Sequence, residues 1–220
     1  GATAVALNIT TVNPSAAISW LTISPTGEPA GTTAVHNFGT LGITTELVND
    51  VIIAKIGSGG TIDIKNASGT VDLIIDVVGY YSPSSDTGYT PINPARVLDS
   101  RDDVQGDYET PWGAGQSRAI DFEAVGICRD ASAVVVHVTT VSPTAPLSWL
   151  TISPSGVAAS TTAAHNFGTA AYTSELVNDV VIAKTGTLGN IDIRNQGGNV
   201  DLVIDIVGYY GVCDLEIPIQ

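Results

Sequence analysis

Apolar and polar residues alternate with a period of two along most of this chain. Val5, Leu7 and Ile9 share one face of the first segment, and a single charged residue separates Ile62 from Ile64. Pro-Ser, Pro-Thr-Gly and Gly-Ser-Gly-Gly clusters lie between such segments. Alternation bounded by turn residues is typical of strands with one buried face, and no segment shows the 3.6-residue period of a helix. The pattern predicts an all-β fold of short antiparallel strands.

The alternating pattern occurs in two copies of one sequence. Residues 3–81 align with residues 132–210 at a constant offset of 129, and 50 of these 79 positions are identical. Each copy contains six predicted strands, which is typical of a sandwich or jelly roll. We therefore expect two tandem homologous antiparallel β-sandwich domains of jelly-roll-like form. The expected boundaries are repeat 1 at 1–81, an inter-repeat segment at 82–127, repeat 2 at 128–213 and a C-terminal tail at 214–220.

The identities between the copies extend beyond the apolar positions. They include Trp20 and Trp149 in the SWLTISP segments and His36 and His165 in the HNFGT segments. A core requires only apolar residues of suitable volume. The matched polar and aromatic residues therefore indicate either a recent duplication or two surfaces that bind the same kind of partner. A repeated module favours binding or assembly over a single active site.

The inter-repeat segment is itself patterned. It contains TPINPARVLDSRDD at 90–103, a Gly- and Pro-rich passage at 105–116 and the strand candidate RAIDFEAVGI at 118–127. We expect it to add at least two strands to one sandwich or to both. The sequence has one such segment for two copies, so we expect one sandwich to keep an uncovered sheet edge.

Several motifs recur in a fixed order. P-x-R-V-L-D-S-R at 94–101 precedes a W-L-T-I-S-P-x-G hairpin, an H-N-F-G segment, L-V-N-D-V and a closing D-[VI]-V-G-Y-Y, which also ends the first copy at 76–81. In this order and content the chain resembles a family of secreted, cell-surface or enzyme-appended β-repeats of actinobacteria, chloroflexi and other bacteria. The family has no defined activity, so the resemblance implies an extracellular, tandem placement rather than a particular chemistry.

The charge balance restricts the possible partners. The chain has 8 Lys and Arg residues against 22 Asp and Glu residues, and its net charge is −14. Nucleic acids and anionic membrane surfaces repel such a protein. No stretch approaches the roughly 18 consecutive apolar residues of a membrane span. We expect a soluble protein located outside the cell or on its surface.

The only two cysteines, Cys128 and Cys213, flank the second copy and have no counterparts around the first. If the ends of that sandwich meet, a disulfide would join them and stabilise the fold by about 4–5 kcal/mol in the chain-entropy model. An extracellular location favours this pairing over free thiols or intermolecular pairing.

The repeated aromatic and histidine residues are candidates for contacts with a partner or a glycan. Trp20 and Trp149 are expected to point outward beside Thr22 and Thr151, where an indole can stack on a sugar or on another protein. The alternative is a tryptophan that covers the sandwich edge. His36 and His165 lie between Ala and Phe, a setting more typical of a partly buried core residue than of a metal ligand.

Several acidic residues are candidates for structural or metal-binding roles. Asp76 and Asp205 lie on largely apolar strands and require partners, for which Arg96 or Arg101 is suited as a bidentate donor. Such pairs would dock the inter-repeat segment onto a GYY strand. A single loop holds four further carboxylates, a weak calcium candidate whose spacing matches no known calcium-loop pattern: Asp99, Asp102, Asp103 and Asp107.

The sequence carries no nucleophile elbow, phosphate-binding glycine loop or metalloprotease motif, and we expect no enzyme and no cofactor. The favoured function is an extracellular structural or adhesive module of a cell-surface or filamentous assembly. Its subunits would associate head to tail, each completing the uncovered sandwich of its neighbour with a strand. The alternative is a carbohydrate-binding module appended to a secreted enzyme, which would bind cell-surface glycans.

Overall fold

The structure is a computed structural model that describes residues 1–29, 34–40, 48–84, 88–101, 108–159, 161–169 and 176–212. Every regular element in these residues is a β-strand, apart from short 3-10 turns, and the strands form four antiparallel sheets. The predicted all-β class is therefore confirmed. Within the described residues, no helix is long and apolar enough to cross a membrane.

The N-terminal half, residues 4–81, forms two three-stranded sheets. Their strand orders are β4-β1-β6 and β3-β2-β5. The strands are β1 (Ala4–Val12), β2 (Ser19–Pro25), β3 (His36–Phe38), β4 (Val48–Lys55), β5 (Ile62–Asn66) and β6 (Asp72–Tyr81).

The C-terminal half, residues 89–210, forms two four-stranded sheets. Their orders are β12-β9-β14-β7 and β11-β10-β13-β8. The strands are β7 (Tyr89–Asp99), β8 (Ser117–Ile120), β9 (Ala133–Val141), β10 (Ser148–Pro154), β11 (His165–Phe167), β12 (Leu176–Lys184), β13 (Ile191–Asn195) and β14 (Asp201–Tyr210). Six of these strands repeat the N-terminal half, whereas β7 and β8 belong to the inter-repeat segment.

Each half has its own apolar core, and the two cores differ in size. Among the described residues, the N-terminal core contains five buried side chains: Leu7, Ile9, Leu21, Phe38 and Ile52. The C-terminal core repeats these positions and continues into the inter-repeat segment, which contributes further buried side chains: Val97, Leu98, Trp112, Ile120, Phe122 and Ile127. The segment therefore forms part of the C-terminal core rather than a linker.

Trp112 fills the space between the two C-terminal sheets. Its side chain is fully buried, and its Nε1 donates a hydrogen bond of 3.1 Å to the carbonyl oxygen of Ile193. Its backbone exchanges two hydrogen bonds with Val200, of 2.8 and 3.1 Å. The guanidinium of Arg118 lies 4.3 Å from the indole ring on its other side. One side chain thus links both sheets to the inter-repeat segment.

The repeated H-N-F-G segments depend on a close backbone approach at their last residue. A Cβ atom on Gly39 would lie 2.2 Å from the carbonyl oxygen of Ala17, and one on Gly168 would lie 2.3 Å from that of Pro146. No side chain fits at such distances, so glycine is required at both positions.

The two halves contact each other through unlike surfaces at their asparagines and through equivalent residues at one pair of tyrosines. The outer face of the β4-β1-β6 sheet lies against the end of the C-terminal half formed by β11 and β12, where Asn49 Nδ2 donates to the carbonyl oxygen of Ala164 at 3.3 Å. The hydroxyl groups of Tyr81 and Tyr210 are 2.5 Å apart at the same junction. Burial, together with the hydrogen bond to Tyr81, raises the pKa of Tyr210.

Substitution of Trp112 and of Trp20 should distinguish a core tryptophan from a surface tryptophan by the loss of stability. Trp112→Ala is expected to lower the free energy of unfolding by about 3–5 kcal/mol, because it removes a fully buried aromatic side chain. Trp20→Ala, at a position that is 38% exposed, should cost less than about 1 kcal/mol. Urea denaturation followed by circular dichroism measures both, and equal losses would contradict the assigned burial.

Candidate functional site

The candidate site lies on the N-terminal half. It is the surface that corresponds to the one covered by the inter-repeat segment on the C-terminal half. On β6, Ile75 is 43% and Val77 is 70% exposed, although both point toward the space between the sheets. Their counterparts on β14, Ile204 and Ile206, are fully buried. The same contrast holds at two further positions: Leu73 against Leu202, and Tyr80 against Tyr209. Homologous strands therefore have a covered inner face in one half and an exposed one in the other.

The cause of this contrast is the inter-repeat segment. β7 pairs with the outer edge of β14, and β8 pairs with the outer edge of β13. Among the described residues, nothing pairs with the corresponding edges of β6 and β5. We call this surface the open side. It comprises the free edges of β5 and β6 and their inward side chains: Ile62, Ile64, Leu73, Ile75, Val77 and Tyr80.

The open side can accept two kinds of contact at once. Its edges present unpaired backbone donors and acceptors, which another strand can pair with. Its side chains form a contiguous apolar surface, and large patches of this kind mark interaction sites in soluble proteins. The C-terminal half shows how a segment satisfies both requirements, with strands at the edges and a tryptophan between the sheets.

The predicted arginine–aspartate contact lies where the segment meets the GYY strand. Arg96 on β7 donates from Nε to Asp205 Oδ1 at 2.5 Å and from its terminal nitrogen to Asp205 Oδ2 at 3.3 Å. Arg101, the other candidate donor, binds Asp99 instead. Asp76, which corresponds to Asp205, has no basic partner within the described residues. A segment on the open side could supply that partner.

Asp99 accepts hydrogen bonds from two arginines. Both of its carboxylate oxygens accept hydrogen bonds from Arg101, at 2.9 and 2.7 Å, and Oδ2 also accepts one from Arg96 at 3.0 Å. The hydrogen bonds from Arg101 hold the pKa of Asp99 below its usual value of 3.8. This carboxylate is therefore used within the fold. The other calcium candidates, Asp102, Asp103 and Asp107, lie outside the described residues.

The two repeated histidines are structural. His36 is buried; Thr11 Oγ1 lies 3.0 Å from its Nε2, and Asp50 Oδ2 lies 2.6 Å from its Nδ1. In the second copy His165 has the same two contacts, with Thr140 and Asp179. The prediction that these histidines contact a partner or a glycan therefore needs correction, because both ring nitrogens are engaged inside the fold.

A row of hydroxyl, imidazole and carboxylate groups also occurs in hydrolases, where the hydroxyl must reach the substrate. Here Thr11 and Thr140 are fully buried, so neither oxygen can attack an external molecule. Among the described residues, no group of three or more His, Cys, Asp or Glu side chains is arranged to hold a metal ion. The arrangement acts as a buried polar link between strands.

The two tryptophans proposed for glycan contact differ in their surroundings. Trp20 is 38% exposed, whereas Trp149 is half-buried in a groove between the halves, beside Ile74 and Asp76. Thr22 and Thr151, which we expected on the same outer face, are buried. The second indole therefore faces the N-terminal half rather than an open surface.

The cysteine pair spans the limit of the described residues. Cys128 is half-buried and packs against the C-terminal core. Cys213 lies outside the described residues, so the disulfide stays a prediction.

The residues that form the open side carry no distinguishing pattern in the sequence. Ile75 and Val77 carry the same alternation as any core strand, and the pattern of one chain does not reveal what covers a strand. The only signal was the presence of one PARVLDSR segment for two copies. Trp112 carried no signal either, because it lies in a Gly- and Pro-rich passage without alternation.

Ionised Asp99 stabilises the fold, so its contribution to the free energy of unfolding depends on pH. Its folded-state pKa is depressed, so its stabilisation is present above pH 4 and is lost as the pH falls through the folded pKa. Asp99→Asn should lower the free energy of unfolding by about 1–3 kcal/mol at pH 7. It should also flatten the dependence of stability on pH below about 4.

Urea denaturation between pH 2 and pH 7 measures both effects on Asp99. Exposed Asp121 provides the control, because Asp121→Asn should leave the acid limb as steep as in the parent. An unchanged limb in Asp99→Asn would contradict the role of the two arginines.

No protein-family model matches this chain, and no curated protein or solved structure matches it. The resemblance to secreted bacterial β-repeats therefore remains a prediction from motifs. The functional argument rests on the geometry of the open side and on the comparison between the two halves.

Proposed function

We propose that this protein is a non-enzymatic structural or adhesive module of an extracellular assembly, and that its N-terminal half binds a β-segment on the open side. In this proposal the chain is two tandem copies of one jelly-roll-like sandwich. The C-terminal copy is complete within the chain, and the N-terminal copy is completed by a neighbour. The observation that carries the proposal is the exposure of Ile75 and Val77, whose counterparts are fully buried.

The free energy available at the open side is substantial. Full burial of one large apolar side chain is worth about 1.5–3 kcal/mol. Four side chains of the open side are exposed and can gain part of this when they are covered: Leu73, Ile75, Val77 and Tyr80. Ile62 and Ile64 already pack partly against the N-terminal core. Pairing of the two strand edges adds backbone hydrogen bonds. Association costs an estimated 4–15 kcal/mol in lost freedom, so a segment that covers most of the open side can bind stably.

The expected occupant is a segment of the same sequence class as residues 89–127. The C-terminal half supports this choice of occupant, because the two halves share their strand order and register and the C-terminal half holds such a segment at the equivalent surface. The occupant should carry an arginine opposite Asp76, as Arg96 lies opposite Asp205, and an aromatic plug equivalent to Trp112.

The chain's own segment lies on its own C-terminal half. Donation of residues 89–127 to a neighbour, as the sequence analysis envisaged, would uncover the inner face of β14. Such an exchange leaves as many open sides as before. We therefore place the donor segment in a further repeat of the assembly.

The non-enzymatic part of the proposal is supported by the burial of the repeated histidine links, which no substrate can reach. Glycan binding has weaker support. Of the two repeated indoles, only Trp20 presents a largely open face, whereas stacking by two equivalent modules would require both.

An added copy of the inter-repeat segment tests the proposal. Fusion of a second copy of residues 82–131 ahead of Thr3 reproduces the order found before Ser132. We expect the fused chain to bind less of an apolar dye such as ANS, because the open side is covered. The N-terminal half should also gain several kcal/mol in free energy of unfolding.

A matched control carries Trp112→Ser and Arg96→Ser in the added copy only, and it should behave like the parent chain. Asp76→Asn in the fused chain should reduce the gain in stability. Dye binding and stability that do not respond to the added copy would contradict strand docking at the open side.

A further inference from the structure

We propose that copies of this protein stack head to tail by repeating, between molecules, the contact that joins the two halves within one molecule. The partner is a second copy of this chain. Within the molecule, this contact joins the outer face of the β4-β1-β6 sheet to the end of the C-terminal half at β11 and β12. It does not use the free edges of β5 and β6, so it does not depend on strand docking at the open side.

The internal contact is built around one asparagine. Asn49 on β4 accepts two hydrogen bonds at Oδ1, from the backbone nitrogen and the side-chain nitrogen of Asn166, both at 3.1 Å. Its Nδ2 donates to the carbonyl oxygen of Ala164 at 3.3 Å. Asn49 is 5% and Asn166 is 6% exposed. Two buried amides are thus satisfied by each other across the junction.

A second asparagine extends the contact along the same surface. Asn8 on β1, which is buried, donates from Nδ2 to the carbonyl oxygen of Ala163 at 2.9 Å. The N-terminal half therefore contributes the face of a sheet, defined by Asn8 and Asn49, which we call the docking face. The C-terminal half contributes the stretch 163–166, which we call the docking edge.

Each half also carries the surface that its twin uses. The docking edge of the N-terminal half is the stretch 34–37, where Asn37 corresponds to Asn166. The docking face of the C-terminal half is centred on Asn178, which corresponds to Asn49. Asn37 and Asn178 are identical in type to their counterparts, yet both are exposed. One docking edge, on the N-terminal half, and one docking face, on the C-terminal half, are thus free.

The free docking face carries the matching groups, which here bind one another. His137, the counterpart of Asn8, has its Nδ1 3.2 Å from Asn178 Oδ1, and Asn178 Nδ2 donates to Thr139 Oγ1 at 2.6 Å. On docking, the ring N–H of His137 would leave Asn178 and donate to the carbonyl oxygen of Ala34, in the role that Asn8 has in the internal contact. Asn178 Oδ1 would then be free to accept from the docked edge.

An exposed apolar side chain lies beside these polar groups. Val180 is 38% exposed and lines, with Val51 and Ile53 of the N-terminal half, an open groove that a docked edge would help to cover.

The asparagine contacts join unlike surfaces, so they leave a free face on one half and a free edge on the other after every addition. A heterologous contact of this kind produces an open-ended filament unless its rotation closes a ring. Successive halves would be related by one operation, so the structural repeat of the filament is half a chain.

Complementary variants test this inference in the full chain. Asn37→Arg blocks the free edge, and Asn178→Arg blocks the free face. The mass of the particle is measured by light scattering over a concentration series, with negative-stain microscopy of the same samples. The parent should grow with concentration, whereas each variant alone should stay at the mass of one chain, 22.6 kDa.

An equimolar mixture of the two variants is the decisive sample. Each variant keeps one working surface, so the mixture should form particles of two chains and stop there. Ser117→Arg, at an exposed position of β8 on the far edge of the other sheet, is the control and should assemble like the parent. Val180→Glu provides a second block of the free face, and circular dichroism checks the fold of every variant.

Three results would overturn the inference: a parent that stays at the mass of one chain throughout the series, blocked variants that still grow, or a mixture that stays monomeric. The fused chain with a covered open side separates the two proposals, because stacking should persist in it while dye binding falls. Growth that the added segment abolishes would show that the open side mediates assembly instead.

Discussion

The inner face of the last strand in each half must be covered, and this requirement governs the structure. A two-sheet fold is stable when the apolar faces of both sheets are removed from water and the outer strand edges are paired. In the C-terminal half a segment of the chain provides both, with β7 and β8 at the edges and Trp112 between the sheets. The N-terminal half has the same strands without that cover among the described residues.

Because of this asymmetry, the two copies differ in how completely their cores are covered, although their sequences are homologous. The C-terminal copy is a finished core of many buried side chains, and the N-terminal copy is a smaller core with an apolar side facing water. The two halves of the molecule therefore present different surfaces, because the core of one copy is covered and that of the other is not. The asparagine contacts at the junction are asymmetric as well, because they join the face of a sheet on one half to the end of the fold on the other.

Buried polar groups stabilise the arrangement of the strands. The buried histidines tie strands of different sheets together, and the arginines of the PARVLDSR motif fasten the segment to β14 through Asp205 and Asp99. Ion pairs and buried hydrogen bonds of this kind cost stability when one partner is lost. In the C-terminal half they fix the position of the segment on β14.

The sequence by itself determined the strands, the duplication and the all-β class, because alternation with a period of two depends only on neighbouring residues. It also indicated that arginines would meet the aspartates of the GYY strands, although Arg101 binds Asp99 instead. Only the tertiary structure decided which copy the segment covers and which identical side chains are buried. Burial depends on residues far away in the chain, such as Trp112 over Val200, and identical strands carry no information about them. The exposure of Val77 and of Asn178 is therefore set by the tertiary structure of the whole chain and not by the sequences of the strands that contain them.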